Sequence, residues 1–122
     1  MILADTSVWI DHLRKGVAAL AEVLEEGEVL MHPYVLGELA CGNLRAREEV
    51  LGLLARLPSA LVATDAETLL FIEKRALMGR GIGYIDAHLL ASVTLTEDAK
   101  LWTRDKRLAV VAAQLGLSSP LS

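Results

Sequence analysis

Cysteine, aromatic residues and long apolar runs are all scarce in this chain of 122 residues. The single cysteine, Cys41, cannot form a disulfide within the chain, which indicates a reducing compartment such as the cytoplasm, and we expect it to be a small buried side chain. Aromatic residues make up 4% of the sequence, so a row of side chains stacking on nucleic-acid bases is not expected. The longest uninterrupted apolar run, residues 108–113, is far too short to span a bilayer.

Basic residues are also outnumbered, because 12 Lys and Arg against 16 Asp and Glu give a formal charge of −4. Domains that bind nucleic acid through bulk charge usually have a pI above about 9, whereas the pI of this sequence is about 5.3. Hydrophobic residues make up 53% of the chain, which is enough for a core without disulfide or metal support. We therefore expect a single domain over residues 1–122 that does not depend on a basic surface.

Short apolar runs alternate with segments of helical periodicity along the chain. Strands are predicted at residues 2–4, 29–31, 61–63 and 101–103, and helices at residues 17–24, 34–42, 47–57, 64–78, 85–95 and 105–115. The predicted strands are apolar throughout, which is typical of strands buried on both faces of a parallel sheet. The alternation predicts the α/β class: a three-layer α/β/α fold with a mostly parallel central sheet of four to five short strands.

Four acidic residues fall where such a fold could bind a ligand. Asp5 follows the first predicted strand and Asp105 follows the fourth, so both should project from the edge where open α/β sheets bind ligands. Glu38 lies in an otherwise apolar or small helical segment, where a buried carboxylate would need a partner or a metal. Asp86 lies near a helix start, after a glycine-rich loop.

Each of these acids also has a purely structural explanation. Asp5, Asp86 and Asp105 could be N-caps or first-turn acids of helices, and Glu38 could lie on an exposed stripe or pair with Arg45. Together, however, four carboxylates from four segments are typical of a site for Mg²⁺ or Mn²⁺. The three histidines lack the spacing of zinc ligands and are expected to have packing or surface roles.

Four stretches of the sequence resemble the PIN-domain ribonucleases, and among these the VapC toxins of bacterial toxin–antitoxin pairs. They are residues 5–10 (DTSVWI), 37–42 (GELACG), 83–92 (GYIDAHLLAS) and 101–108 (LWTRDKRL). The resemblance extends over essentially the whole chain. It implies endonucleolytic cleavage of RNA with Mg²⁺ or Mn²⁺, transfer or ribosomal RNA being the expected substrates, and inhibition of translation. It also implies a homodimer and a VapB-type antitoxin whose C-terminal tail wraps the toxin.

The acidic quartet of the family falls on Asp5, Glu38, Asp86 and Asp105. As a hypothesis, we expect Asp5 and Asp105 to hold the metal, with Asp86 as a further direct or water-mediated ligand. Glu38 would then orient or deprotonate the attacking water.

The hydroxyl positions of the family fall on Thr6 or Ser7 and on Thr103, which would fix metal ligands or waters. One position departs from the pattern, because many relatives carry another acid two residues after the fourth and this chain has Arg107 there. We therefore expect one metal ion until the substrate phosphate completes a second metal site.

Basic residues flank these segments and are candidates for contacts with RNA phosphates, although each could equally be solvated surface. They are Arg14, Lys15, Arg80, Arg104, Lys106 and Arg107. Without the four proposed site acids the chain would be formally neutral. Binding of RNA is therefore expected to depend on local basic residues, RNA shape and the metal.

Three other classes of protein share part of this pattern. A phospho-acceptor receiver domain would need a second acid directly after Asp5, where Thr6 stands, and Asp65 and Lys106 are only loose candidates for its remaining residues. A haloacid-dehalogenase-type phosphatase would need Asp-x-Asp, but Ser7 occupies the third position. A non-catalytic PIN-like interaction domain is disfavoured by the intact acidic quartet.

Overall fold

The computed structural model describes all 122 residues, which form seven helices and three strands. In chain order these are β1 (Ile2–Ala4), α1 (Thr6–Lys15), α2 (Ala18–Glu25), β2 (Val29–Leu30), α3 (Pro33–Ala40), α4 (Arg47–Ala55), α5 (Asp65–Arg75), α6 (Tyr84–Leu95), β3 (Lys100–Trp102) and α7 (Lys106–Gln114).

The three strands form one parallel sheet with β1 in the centre, in the order β2-β1-β3. Leu3 of β1 pairs with Leu30 on one side and with Leu101 on the other. From β1 the chain runs to β2 at one edge of the sheet, and from β2 it crosses to β3 at the other edge. The connections that leave β1 and β3 therefore diverge at the carboxyl ends of these two strands, where such sheets bind ligands. Since parallel crossovers are right-handed, this order places helices on both faces of the sheet. The predicted α/β class with a parallel sheet is confirmed.

Both edges of the sheet are extended by a single bridging residue. Met31 pairs in parallel with Ser59, and Leu101 pairs in parallel with Ser118. The prediction of a strand at residues 61–63 is wrong. Leu61 and Val62 are exposed, and the chain pairs with the sheet at Ser59 instead. The sheet thus has three strands and two bridges where four to five strands were predicted.

A core of 23 buried residues, aliphatic except for Trp9, Trp102 and Met31, holds the sheet and helices together. Leu3 and Leu101 are fully buried in their strands, as are Leu90 of α6 and Leu108 of α7. Burying one such side chain contributes about 1.5–3 kcal/mol. The core therefore fixes β1 and β3, and with them the residues that directly follow each strand.

The helices follow the predicted positions with one exception. The capping box predicted for α5 is confirmed, because Thr64 Oγ1 accepts a hydrogen bond from the Glu67 amide at 3.0 Å and Glu67 Oε1 accepts one from the Thr64 amide at 2.9 Å. Helix α1 was not predicted, and it begins directly after Asp5.

Cys41 is exposed at the C-cap of α3, so its expected burial is wrong. None of the seven helices could span a bilayer.

Candidate active site

Asp5 is the most enclosed of the four candidate acids, with 5% of its surface exposed. It caps α1 by accepting a hydrogen bond from the Val8 amide at 3.2 Å. It also accepts hydrogen bonds from the hydroxyl of Ser7 at 2.5 Å and from the hydroxyl of Thr103. Burial raises the pKa of Asp5, and these hydrogen bonds oppose the rise because they favour the carboxylate. The side chain is thereby held in one orientation at the carboxyl end of β1.

Thr103 connects the first acid of the quartet to the fourth. It directly follows β3, donates its hydroxyl to Asp5 and accepts a hydrogen bond from the Asp105 amide at 3.1 Å. The Asp105 carboxylate caps α7. A second link runs through Ser7, whose hydroxyl accepts a hydrogen bond from the Arg104 amide at 2.9 Å. The ends of β1 and β3 are therefore joined through two side-chain hydroxyls.

Glu38 is exposed on α3, which corrects the burial expected from its apolar neighbours in the sequence. Its Oε1 accepts a hydrogen bond from the hydroxyl of Thr6 at 2.7 Å. It forms no ion pair with Arg45. Because Thr6 directly follows Asp5, this hydrogen bond keeps Glu38 on the same side of the molecule as the first acid.

Asp86 is half-buried in the first turn of α6, where its Oδ2 accepts a hydrogen bond from the Gly83 amide at 3.0 Å. Burial raises the pKa of Asp86, and the hydrogen bond from Gly83 opposes the rise. The negative charges of Asp105, Asp5 and Glu38 raise the pKa of Asp86 further. This mutual repulsion means that the four acids, which come from four segments, lie in one region.

The chemistry of this region suits a hard divalent cation. Its side chains offer carboxylate and hydroxyl oxygens, and a cation among them would offset the repulsion that acts on Asp86. In the conformation described, no three acidic, histidine or cysteine side chains converge closely enough to ligate one ion. Asp5 and Asp105 each face a helix amide instead, and Asp86 faces Gly83. Of the three proposed ligands, Asp105 is exposed and Asp86 half-buried, so both have room to turn toward an ion.

Comparison with known proteins identifies the family. The PIN domain family matches residues 2–114 of this chain. The chain is 50% identical, over 118 residues, to Ribonuclease VapC32 of Mycobacterium tuberculosis strain CDC 1551 / Oshkosh, which covers 97% of this chain and 95% of the relative. Ribonuclease VapC32 of strain ATCC 25618 / H37Rv matches with the same identity and coverage. The chain belongs to the VapC ribonucleases of the PIN-domain family. Membership confirms the resemblance found in the sequence and argues against the receiver-domain and phosphatase alternatives.

The basic residues predicted near the site of this VapC ribonuclease differ in their contacts. Arg104 is paired with Asp11 at 2.6 Å between Nη1 and Oδ2, and Arg80 donates a hydrogen bond to Gln114. The other predicted residues are exposed and form no side-chain hydrogen bond or ion pair: Arg14, Lys15, Lys106 and Arg107. These four are the side chains that remain available to a ligand.

A groove of about 730 Å³ opens beside Glu38 between α1, α3, α4 and the loop that joins α3 to α4. Half of its lining residues are hydrophobic, and it also includes Arg14 and Arg45. This groove could not be predicted from the sequence without α1, which forms one of its walls. The spacing of Ile10, Leu13 and Arg14 in the sequence could have indicated that helix. In a helix, residues with this spacing lie on one face, and in α1 these three line the groove.

A second polar cluster, also missed from the sequence, joins α5 to α6. Asp65 Oδ1 accepts a hydrogen bond from the hydroxyl of Tyr84 at 2.6 Å and lies 2.9 Å from Nε2 of the buried His88. The hydrogen bond from Tyr84 lowers the pKa of Asp65, and the same bond raises the pKa of Tyr84 to about 12. Thr68 contacts the other ring nitrogen of His88 at 3.1 Å. The cluster therefore anchors the first turn of α6, which carries Asp86.

Proposed function

We propose that this VapC ribonuclease is a Mg²⁺- or Mn²⁺-dependent endoribonuclease and the toxin of a toxin–antitoxin pair. The observation that carries the proposal is the set of four carboxylates from four segments, of which Asp5 and Asp105 follow β1 and β3 and three together raise the pKa of Asp86. Such a concentration of negative charge repels RNA unless a cation neutralises it. The relatives with 50% identity are named ribonucleases, which supports RNA as the substrate.

Asp5, Asp86 and Asp105 would hold the metal, since carboxylate oxygens are the ligands that Mg²⁺ and Mn²⁺ prefer. Glu38, which is exposed and held by Thr6, would orient or deprotonate the attacking water. When bound, the metal would lower the pKa of a bound water and offset the charge that develops on the phosphodiester. In-line attack would leave a 5′-phosphate and a 3′-hydroxyl.

Hydroxyl groups would position these carboxylates. Thr103 and Ser7 both donate to Asp5, and Thr6 donates to Glu38. A ligand whose hydrogen bonds fix its rotamer loses less entropy when a metal binds, so these contacts support tight and well-oriented binding.

For the biological role, we propose transfer or ribosomal RNA as the substrate, with inhibition of translation in the cytoplasm as the result. A VapB-type antitoxin would neutralise the toxin, and its C-terminal tail would occupy the groove beside Glu38. The mixed apolar and basic lining of that groove suits an extended peptide, and a basic side chain of the tail would reach the acidic quartet. We also propose that residues 1–122 act as a single PIN domain and that the toxin is a homodimer, which light scattering of the purified protein would test.

The catalytic proposal is tested by RNA cleavage with the parent chain, Asp5→Ala and Asp86→Ala, each in Mg²⁺ and in EDTA. The parent should cleave only with metal, and each variant should lose more than about 100-fold in rate, since changes to groups around a metal ligand already cost about 10–100-fold. Glu97→Gln is the matched control, because Glu97 is an exposed acid in the turn between α6 and β3. Undiminished cleavage by both alanine variants would overturn the assignment, and mapping of 5′ ends in cellular RNA after induction would identify the substrate.

A further inference from the structure

The side chain of Arg107 rests directly on the backbone of Gly81. A Cβ atom added at Gly81 would lie 2.7 Å from Cδ and 2.9 Å from Nη1 of Arg107, closer than real side-chain contacts allow. Gly81 also has a φ of +81°, a conformation that L side chains rarely adopt. A side chain at position 81 would therefore displace the far end of Arg107 from this contact.

A second glycine in the same loop shows that this contact is specific to position 81. Gly79 has a φ of +70°, and a Cβ atom added there would meet nothing within 4 Å. Both glycines satisfy a backbone requirement of the loop, but only Gly81 makes room for another side chain. The two positions therefore form a natural pair for comparison.

The contact lies between two segments that carry the acidic quartet. Arg107 is two residues beyond Asp105 in the first turn of α7, and Gly81 is two residues before Gly83, whose amide binds Asp86. Despite this position, Arg107 is exposed and forms no hydrogen bond or ion pair with any group of the chain. Its guanidinium group thus lies against the loop that leads to α6 and makes no hydrogen bond within the chain.

These properties favour a phosphate group as the partner of Arg107. A guanidinium group presents five donors in a planar fork that matches phosphate oxygens. Contact with a bare glycine backbone restricts the side chain before a ligand arrives, so less conformational entropy is lost on binding. Arg104 and Arg80, by contrast, already donate to Asp11 and Gln114.

We propose that Arg107, held in place by Gly81, binds a phosphate of the RNA backbone beside the acidic quartet. Arg107 would supply a fixed positive charge where the carboxylates would otherwise repel the substrate. This inference rests on RNA being the substrate, as proposed above. Because a phosphate contact carries no base information, Arg107 should strengthen RNA binding without selecting the sequence that is cleaved.

The experiment measures binding of a short fluorescent oligoribonucleotide by anisotropy at a fixed concentration of Ca²⁺, a hard cation that carboxylates bind, over a series of KCl concentrations. The proteins compared are the parent, Arg107→Ala and Arg107→Lys, and a gel checks that the oligoribonucleotide stays intact. Loss of one phosphate contact should weaken binding by about tenfold and reduce the slope of log K against log salt by about 0.7, the value for one contact to a single strand. Arg107→Lys should recover the salt slope but only part of the affinity, because it keeps the charge without the planar fork.

Substitution of the two glycines tests whether Gly81 holds Arg107. Gly81→Ala should weaken RNA binding, whereas Gly79→Ala should bind as the parent does, although both alanines have an unfavourable φ. In an Arg107→Ala background, Gly81→Ala should have no further effect on binding. Thermal melts of each variant would report the cost of backbone strain separately.

Parent-like affinity and salt slope in Arg107→Ala would overturn the inference. Equal losses in Gly81→Ala and Gly79→Ala would overturn the role of Gly81. Cleavage by the parent with Mg²⁺ in the same series tests the proposed ribonuclease function independently, so failure of the Arg107 contact and failure of the ribonuclease function are distinguishable.

Discussion

The hydroxyl of Thr103 donates a hydrogen bond to the carboxylate of Asp5, although the two residues are 98 positions apart in the chain. Sheet register explains the contact, because Ala4 pairs with Trp102 in the parallel β1–β3 ladder. The residues that follow each strand therefore meet at the same edge of the sheet. Packing of the core thus determines how the most enclosed acid of the site is oriented.

Thr103→Val should impair metal binding, because valine keeps the shape of threonine and removes the hydroxyl. The loss of both hydrogen bonds of that hydroxyl should also lower stability by about 1–3 kcal/mol, so cleavage is compared at a temperature where both proteins are folded. Asp5 would lose a hydrogen bond that opposes the rise of its pKa and fixes its orientation, so its carboxylate would be a poorer ligand. We expect cleavage to fall by about 10–100-fold at limiting Mg²⁺ and by less at saturating Mg²⁺. The measurement is the cleavage rate as a function of Mg²⁺ concentration.

Thr94→Val is the control for this change, because the hydroxyl of Thr94 donates only to the Leu90 carbonyl of its own helix. It should leave the Mg²⁺ dependence as in the parent. If Thr103→Val also cleaves RNA with the Mg²⁺ dependence of the parent, then Thr103 does not position Asp5 for metal binding.

Thr64→Ala should lower stability without affecting the site. The substitution removes the side-chain half of the α5 capping box, which is worth about 1 kcal/mol. For a domain of this size, a loss of this order should lower the Tm by about 2–6 °C. Differential scanning calorimetry measures the change, and Thr64→Ser, which retains the hydroxyl, should melt close to the parent. Cleavage is then measured at a temperature where both proteins are folded. A lower cleavage rate of Thr64→Ala under that condition would show that the cap of α5 also affects the site.

The parts of the fold predicted correctly from the sequence are those governed by local rules. The strands at residues 2–4 and 101–103 are short apolar runs, and the structure places them at Ile2–Ala4 and Lys100–Trp102. Since both are parallel and adjacent, the region where Asp5 and Asp105 meet could be predicted from strand ends alone. Asp5 and Asp105 also cap α1 and α7, so the capping role that the sequence offered as an alternative for each acid is confirmed.

The remaining features depended on which surfaces the tertiary fold leaves open. Helix α1 was missed because only Val8 and Trp9 of its ten residues are buried, while the apolar Ile10 and Leu13 line the groove, so no single buried face is visible in the sequence. Residues 61–63 are apolar but mostly exposed, which hydropathy cannot indicate. Glu38 was predicted to be buried from its neighbours, yet only one side of α3 faces the core.

Burial of His32 should make stability depend on pH. The side chain is fully buried, caps α3 by accepting a hydrogen bond from the Tyr34 amide at 3.1 Å, and lies 3.0 Å from the hydroxyl of Ser92. Burial, together with a smaller effect of the charge of His88, lowers the pKa of His32 from 6.5 to about 4. Between these values the unfolded chain binds the proton and the folded chain does not. This contribution to stability is therefore complete above pH 6.5 and is lost as the pH falls toward 4, by as much as about 3 kcal/mol.

Urea unfolding of the parent and of His32→Asn between pH 7 and pH 4 measures this effect. Asparagine keeps a capping acceptor but does not titrate, so the variant should lose less stability on acidification. Asp5 and Asp86, whose raised pKa values act in the opposite direction, are present in both proteins and cancel in the comparison. Parallel pH profiles for the two proteins would show that His32 does not take up the proton on unfolding.

We expect the positive charge at position 107 to limit the number of metal ions that bind in the absence of RNA. Arg107 adds a positive charge two residues beyond Asp105, where an acid would have extended the ligand set, so we expect the parent to bind one Mn²⁺ per chain. Calorimetric titration with Mn²⁺ should therefore give a stoichiometry near one, and Arg107→Asp should raise it toward two because it replaces a repelling charge with a carboxylate ligand. Lys106→Asp, on the neighbouring exposed residue, makes the same change of charge and controls for a general electrostatic effect. Two ions bound by the parent, or equal stoichiometry in both aspartate variants, would show that Arg107 does not limit occupancy of the metal site.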